Sequence, residues 1–271
     1  MTDSTRAKAP VPTRVRLRPI ALPAEHGGWS FLLEPILLGW LVAVSPAGIA
    51  YGVGMFFAFL TRQPLKLALT DLRRGQRLAR TAYAERFAAL YAAITLVSFA
   101  LALASGGITP FVPLVIAAPL FALQAYWDAH NRSREPYAEL SAPLALGVIA
   151  ACITLAGGWT PVQAFALWAL IAARSLPSIL YVRARLRLER GREFSGTLVT
   201  AAHVTALLLM VVPFFAGLIP LTALVALVVL TARAVYGLSE QRKPSPPKVI
   251  GVQEVIFGVI FVALTALGYS R

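Results

Sequence analysis

Acidic residues are scarce in this chain, and histidine and cysteine are scarcer still. Twelve Asp and Glu stand against 25 Lys and Arg, with three histidines and one cysteine. A single cysteine, Cys152, excludes an intramolecular disulfide framework and thiolate metal clusters, and its place in an apolar run reads as small-residue packing. The histidines, His26, His130 and His203, have no pair at the spacing that metal ligands want, so no metal site is read from them. His203 reads as a hydrogen-bonded packing residue. Charge of either sign is also sparse: 14% of 271 residues, where soluble proteins carry about a quarter.

What is abundant is hydrocarbon. Hydrophobic residues make up 58% of the chain and the mean hydropathy is +0.71, which places it among all-α polytopic membrane proteins. A net charge of +13 in a soluble domain would suggest nucleic acid. Membrane loops carry such an excess for topological reasons, and no basic folded domain outside the bilayer exists here to hold a nucleic acid. Membrane lipids are the expected partners and the bacterial inner membrane the expected location.

Residues 1–22 carry Arg6, Lys8, Arg14, Arg16 and Arg18 among prolines and threonines, without the apolar core a signal peptide needs. They read as a disordered basic cytoplasmic tail before one membrane domain, 23–271. Apolar stretches of spanning length, about 20 residues, follow near 29–45, 47–66, 87–106, 109–128, 138–157, 160–181, 197–216, 218–236 and 249–268, predicting nine transmembrane helices. Connections after the first, third, fifth and seventh are tight and uncharged, and the others hold nearly all the charge. That puts 24 of the 25 Lys and Arg on one side, leaving only Arg271, and predicts a cytoplasmic amino terminus. Pro110, Pro113 and Pro119 in the fourth stretch and Pro213 in the seventh predict local kinks.

Against this background the buried polar residues stand out. An ionised side chain at the bilayer centre costs roughly 2.5–3.5 kcal/mol on insertion scales, so intramembrane acids and bases are functional candidates. Glu34 lies almost two turns inside the first stretch, behind Glu25-His26-Gly-Gly-Trp, and needs a partner; a structural salt bridge to Arg62 or Arg174 is the alternative reading. Glu139 opens the fifth stretch and Glu254 the ninth, where a carboxylate near a helix amino terminus is also favourable by about 0.3–1 kcal/mol. Asp128 closes the fourth.

Two basic passages share one spacing. In FLTRQPLKLALTDLRRGQ, Arg62, Lys66, Leu69 and Arg73 fall on one helical face, and in RSLPSILYVRARLRLERG so do Arg174, Ser178, Tyr181 and Arg185. Cations at cytoplasmic helix ends commonly fix topology and meet anionic lipid heads. Two such faces following the helices inward also suggest one anion pocket between two halves.

The runs EHGGWSFLLEPILLGW, TRQPLKLALTDLRRG, LYVRARLRLERG and GVQEVIFG resemble the YwiC-like family of bacterial membrane proteins. Nine helices with elaborated cytoplasmic loops after the second and sixth also resemble the UbiA superfamily of intramembrane prenyltransferases. There, aspartate-rich motifs in those loops bind Mg²⁺ and a polyprenyl diphosphate. Laid on this chain, the first motif falls on Arg62, Gln63, Lys66 and Thr70, with Asp71 one place beyond, and the second on Ser178 to Arg185, where only the aromatic position matches, at Tyr181. The usual Mg²⁺ ligands are therefore absent, and Asp71 with Glu189 or Glu193 is the site left for Mg²⁺. The resemblance implies a UbiA-like fold binding an amphiphile with a phosphate or diphosphate head, such as a polyprenyl phosphate, with guanidinium groups in place of metal.

On that reading Arg62, Lys66, Arg174 and Arg185 grip the head and Tyr181 orients it. Arg73, His26, Glu139 and Glu254 line the site, and Glu34, Asp71 or Asp128 serves as acid or base. Two other readings compete with it: a small-anion transporter coupled to protons through Glu34 or Glu254, and a non-catalytic lipid-binding or assembly protein in which arginine replaces a lost active site.

Overall fold

The protein is described by a computed structural model, which covers residues 16–23, 26–130 and 135–270. Among these the regular elements are helical. A single turn, α1 (Arg18–Ala21), precedes α2 (His26–Val42), α3 (Pro46–Arg73), α4 (Ala79–Gly106), α5 (Val112–Ala129), α6 (Pro136–Ala156), α7 (Pro161–Glu189), α8 (Gly196–Phe215), α9 (Leu221–Leu238) and α10 (Pro247–Tyr269).

Local chemistry sets the helix ends. Ser45 Oγ accepts the Gly48 N–H at 3.0 Å to start α3, and Thr160 and Gln163 cap α7 reciprocally before Pro161. Both of these charge-bearing helices stop at a glycine in the left-handed region, Gly75 (φ 64°) and Gly191 (φ 63°), where a Cβ would be strained. Pro110 and Pro113 do not kink a span as expected. Pro110 sits in a 3₁₀ turn, Thr109–Phe111, and Pro113 in the first turn of α5, where a missing N–H costs nothing. Pro119 and Pro213 do lie inside helices.

Seven helices, α4 to α10, are long and apolar enough to cross a membrane. The remaining two long helices fall short of that measure for different reasons: the apolar part of α2 is only Gly28–Val42, and α3 carries Arg62, Lys66 and Arg73 in its second half. At 1.5 Å per residue, the 28 residues of α3 and the 29 of α7 extend about 42–44 Å, beyond the hydrocarbon thickness of about 30 Å. Both project at the charged end of the bundle. At the end of the segment expected as tail, α1 packs on the bundle: Ile20 is buried against Ala68 and Ala84, and Gln63 Nε2 donates to the Pro19 carbonyl at 3.3 Å. Residues 1–15 lie outside the described residues.

Among the described residues two hydrophobic clusters are much the largest. One gathers Leu32, Ile36, Tyr51, Phe59, Ile149 and Ile153 from α2, α3 and α6, with α4 and α5 around them. The other gathers Leu167, Leu170, Ile171, Leu227, Leu230 and Phe261 from α7, α9 and α10. Between them run α2 and α6, each feeding both: Leu38 and Ala150 belong to the second centre. α6 is suited to this by small buried residues, Ala145, Ala150, Ala151, Cys152 and Thr154, which let neighbouring backbones approach. Buried Cys152 is thus a packing residue, as its sequence context predicts. α3 and α7 both pack on α6 and scarcely, if at all, on each other, and this separates the two basic faces.

Candidate functional site

The first polar region is a groove. Arg62, Lys66, Leu69 and Arg73, one face of α3, all line it, opposite Phe121, Gln124, Ala125 and Asp128 of α5, over a floor of Ala142, Ala145 and Leu146 from α6. The cavity is about 360 Å³, and its inner end is apolar, closed by Met55, Ala58 and Phe59. Arg62 bridges to Asp128 with two nitrogens, Nε to Oδ2 and Nη2 to Oδ1, the latter at 2.7 Å, and Gln124 Nε2 lies 3.4 Å from Asp128 Oδ1. Lys66 and Arg73 stand at the same rim. Apolar depth beneath a cationic rim is the shape of a site for an anionic amphiphile.

The second polar region is a buried ionic core between α2, α7, α9 and α10. Glu34 is 8% exposed and Arg174 2%. Arg174 grips Glu34 with both Nη2 (2.9 Å) and Nε (2.8 Å) and reaches the Glu254 carbonyl at 3.5 Å. The Glu254 carboxylate pairs with Arg233, which also donates to Ser178 Oγ at 3.2 Å and stacks 4.1 Å above the Tyr181 ring. Two cations therefore balance two anions. Of the two partners the sequence allows for Glu34, the structure selects Arg174. Gly258 makes room for the pair: a Cβ there would stand 2.8 Å from the Glu34 carboxyl carbon. His203, on α8, is buried, with Nδ1 2.9 Å from the Val199 carbonyl, the packing role its sequence context suggests.

The single pocket anticipated from the paired spacings is therefore two separate sites. Arg174, Tyr181 and Arg185 do not line the groove; α6 stands between α3 and α7. Arg185 instead braces the tip of α7 against the α9–α10 connection, donating to the carbonyls of Gly237 and Lys243, the latter at 2.7 Å, and pairing with Glu189 at 2.9 Å. Glu139 pairs with Arg183, tying α6 to α7. Asp71 lies on the far side of α3 from the groove, 1% exposed, and both its oxygens are engaged: Arg80 donates at 2.6 and 3.1 Å and Thr81 Oγ1 at 2.8 Å. First the Arg80 hydrogen bonds, and then that of Thr81, hold the Asp71 carboxyl below the usual carboxylate range against the opposing effect of burial. It clamps the α3–α4 hairpin. Among the expected acids and bases, only Asp128 lines the groove. The expectation for His26 concerns a side chain outside the described residues.

Arg233 is the residue that sequence reading missed. It passes as one more loop cation, but a lone arginine inside LTALVALVVLTARAVYGL is as exceptional as Glu34 and could have been singled out on the same grounds.

Among the described residues the groove lining has one carboxylate, Asp128, bound to Arg62, whereas Mg²⁺ with a diphosphate is held by one or two available carboxylates. Among the described residues no three His, Cys, Asp or Glu gather as metal ligands.

No curated protein and no solved structure matches the chain, so the UbiA likeness rests on helix count and loop placement alone. A family model described as YwiC-like protein matches residues 22–154. That match takes in α2 to α5, nearly all of α6 and the whole groove, and leaves out LYVRARLRLERG and GVQEVIFG. The chain is a multi-pass membrane protein whose first half is similar to the YwiC-like family.

Proposed function

We propose that this protein is a nine-span membrane protein of YwiC-like type that binds an amphiphile with a phosphate-type head in the groove between α3, α5 and α6. The groove faces the cytoplasm, and Lys66 and Arg73, with Arg62 beside them, receive the head. The observation that carries the reading is the division of the described groove lining, with Met55, Ala58, Phe59 and Phe121 at the apolar end and Arg62, Lys66 and Arg73 at the rim. The positive-inside rule supports the orientation. α2 and α3 join the seven apolar helices as spans because α2 lies between the two hydrophobic centres and α3 has sixteen uncharged residues before Arg62.

Binding is the primary activity on this reading. Among the described residues the groove has one carboxylate, Asp128, which is committed to Arg62, where a metal-dependent prenyl transfer uses several. The test is native mass spectrometry of the protein purified in mild detergent, followed by titration with hexadecyl phosphate. Wild type should retain or take up one phosphate-headed amphiphile. Lys66→Ala with Arg73→Ala should weaken it by about two orders of magnitude, since a hydrogen bond to a charged group contributes about 1.5–3 kcal/mol. Equal affinity in wild type and the double variant would overturn the proposal.

A further inference from the structure

We infer that a second hollow, between the charged end of α7 and the start of α8, holds a zwitterionic phospholipid whose head carries a phosphate diester and a free ammonium. The hollow measures about 390 Å³ and is separate from the groove. Arg183, Arg187, Glu193 and Ser195 line it, with Leu180 and Leu198 on the membrane side. The turn between the helices holds these groups in place. Gly191 takes the left-handed conformation (φ 63°), and the Arg192 N–H donates to the Arg187 carbonyl at 2.9 Å. Arg187 Nε donates to the Glu193 carbonyl at 2.7 Å, and Phe194 packs against a cluster of Tyr181, Ala184 and Val199. Glu193 is thereby fixed next to Arg187, while the Arg187 Nη groups bond to none of the described residues.

Depth selects a lipid. From Pro161, Leu180 lies about 29 Å along α7, and Arg183 and Arg187 about 33 and 39 Å, at 1.5 Å per residue. The hydrocarbon core is about 30 Å thick and each headgroup layer adds about 5–8 Å. Leu180 thus stands at the edge of the hydrocarbon and the two arginines among the heads. Toward the bilayer centre Ala169, Ala173, Leu176 and Leu180 continue the face of α7 that carries Arg183 and Arg187, each exposed or half-buried, and they give an acyl chain an apolar track. Charge selects the head. Arg183 is paired with Glu139, so with Arg187 and Glu193 the site has two cations and two carboxylates. A neutral set of both signs matches a head that is itself neutral and carries both signs. The phosphate accepts from the Arg187 Nη groups and from Ser195, whose Oγ accepts the Leu198 N–H at 3.1 Å and keeps its own proton to donate. The ammonium donates to the Glu193 carboxylate, which a quaternary ammonium, having no N–H, cannot do. An anionic head would leave the site with a net negative charge.

A lipid competition tests this. Protein is placed in nanodiscs of equal parts phosphatidylethanolamine, phosphatidylcholine and phosphatidylglycerol, and the lipid it retains on release is identified by native mass spectrometry. Wild type should retain phosphatidylethanolamine over each of the others by at least about fivefold, the scale on which one charge acts near a membrane surface. Glu193→Gln leaves one surplus cation and should turn the preference to phosphatidylglycerol, a reversal that a poorly folded variant cannot imitate. Arg187→Gln should lower retention of all three. The Lys66→Ala, Arg73→Ala protein should keep the wild-type preference, because the groove takes no part in it. Retention that merely follows the membrane composition, or a preference unchanged in Glu193→Gln, would overturn the site. A preference lost in the Lys66→Ala, Arg73→Ala protein would move the lipid to the groove and overturn it equally.

Discussion

Glu34 and Arg174 are held in a place where neither could stand alone. Removing one member of a buried ion pair costs about 3–5 kcal/mol, because the other is left charged and unpaired, whereas replacing both by apolar residues of similar size is often neutral. Arg174→Leu should therefore lower the thermal unfolding midpoint sharply, and Glu34→Leu added to it should restore most of the loss; an unrecovered double variant would mean that Glu254 and Arg233 depend on the pair as well. Gly258→Ala tests the same contact from the opposite helix. The added methyl would lie 3.1 Å from Arg174 Nη2 and closer still to the Glu34 carboxylate, and overpacking of this kind costs about 1–3 kcal/mol. At Asp71 the lever is pH. Its folded-state value is depressed, chiefly by Arg80, so the clamp contributes stability above the unfolded carboxylate value of about 3.9 and loses it as pH falls through the lower folded value. Hydrogen exchange across 67–86 should accelerate in that acid window, and Asp71→Asn should exchange fast at neutral pH with the acid step gone.

α5 is the least anchored of the long helices on the groove side: it packs on α6 and on the turn that precedes it, and its charged end is tied to α3 by Arg62 and Asp128. That pair is part-exposed, 28% and 12% at the two side chains, so its contribution to global stability is small, about 1 kcal/mol or less. Asp128→Asn should leave the unfolding midpoint nearly unchanged while raising hydrogen exchange over 120–129, and a large drop in midpoint with no local change would contradict this arrangement. At this scale much was legible in the sequence. Spacings of 4, 7 and 11 put Arg62, Lys66, Leu69 and Arg73 on one face, and they line one groove. The same arithmetic would have set Asp71, two and a half turns from Arg62, on the opposite side, had it been applied to the acids as well as the bases. What no spacing could reveal is which helix stands beside which. Pairing across 140 residues, as in Glu34 with Arg174, depends on α2 meeting α7, and the separation of the basic faces depends on α6 lying between α3 and α7.

The whole molecule joins these pieces through its polarity. α6 and α7 are the interior helices, with 61% and 56% of their spanning segments buried against 17% for α4, α5 and α8, so the outer helices present more of their surface to lipid. Glu34, His203, Glu254 and Arg233 all lie about 8–12 Å from the charged end of their helices at 1.5 Å per residue, and the groove opens at that same end. These ionisable residues are therefore biased toward one leaflet, and the other end of the bundle is closed by short uncharged turns such as 43–45 and 157–160. If the positive-inside rule governs this chain, that active leaflet is the cytoplasmic one. Single cysteines decide it, because native Cys152 is buried and silent to a membrane-impermeant maleimide. In intact cells Ser105→Cys, at the α4–α5 turn, should be labelled, while Gln76→Cys, beside Gly75, should react only after the membrane is opened. Labelling of Gln76→Cys from outside would turn the bundle over, placing Arg62, Lys66 and Arg73 in the outer leaflet, where the ligand proposed for the groove, if made in the cytoplasm, could not reach them without first crossing the bilayer.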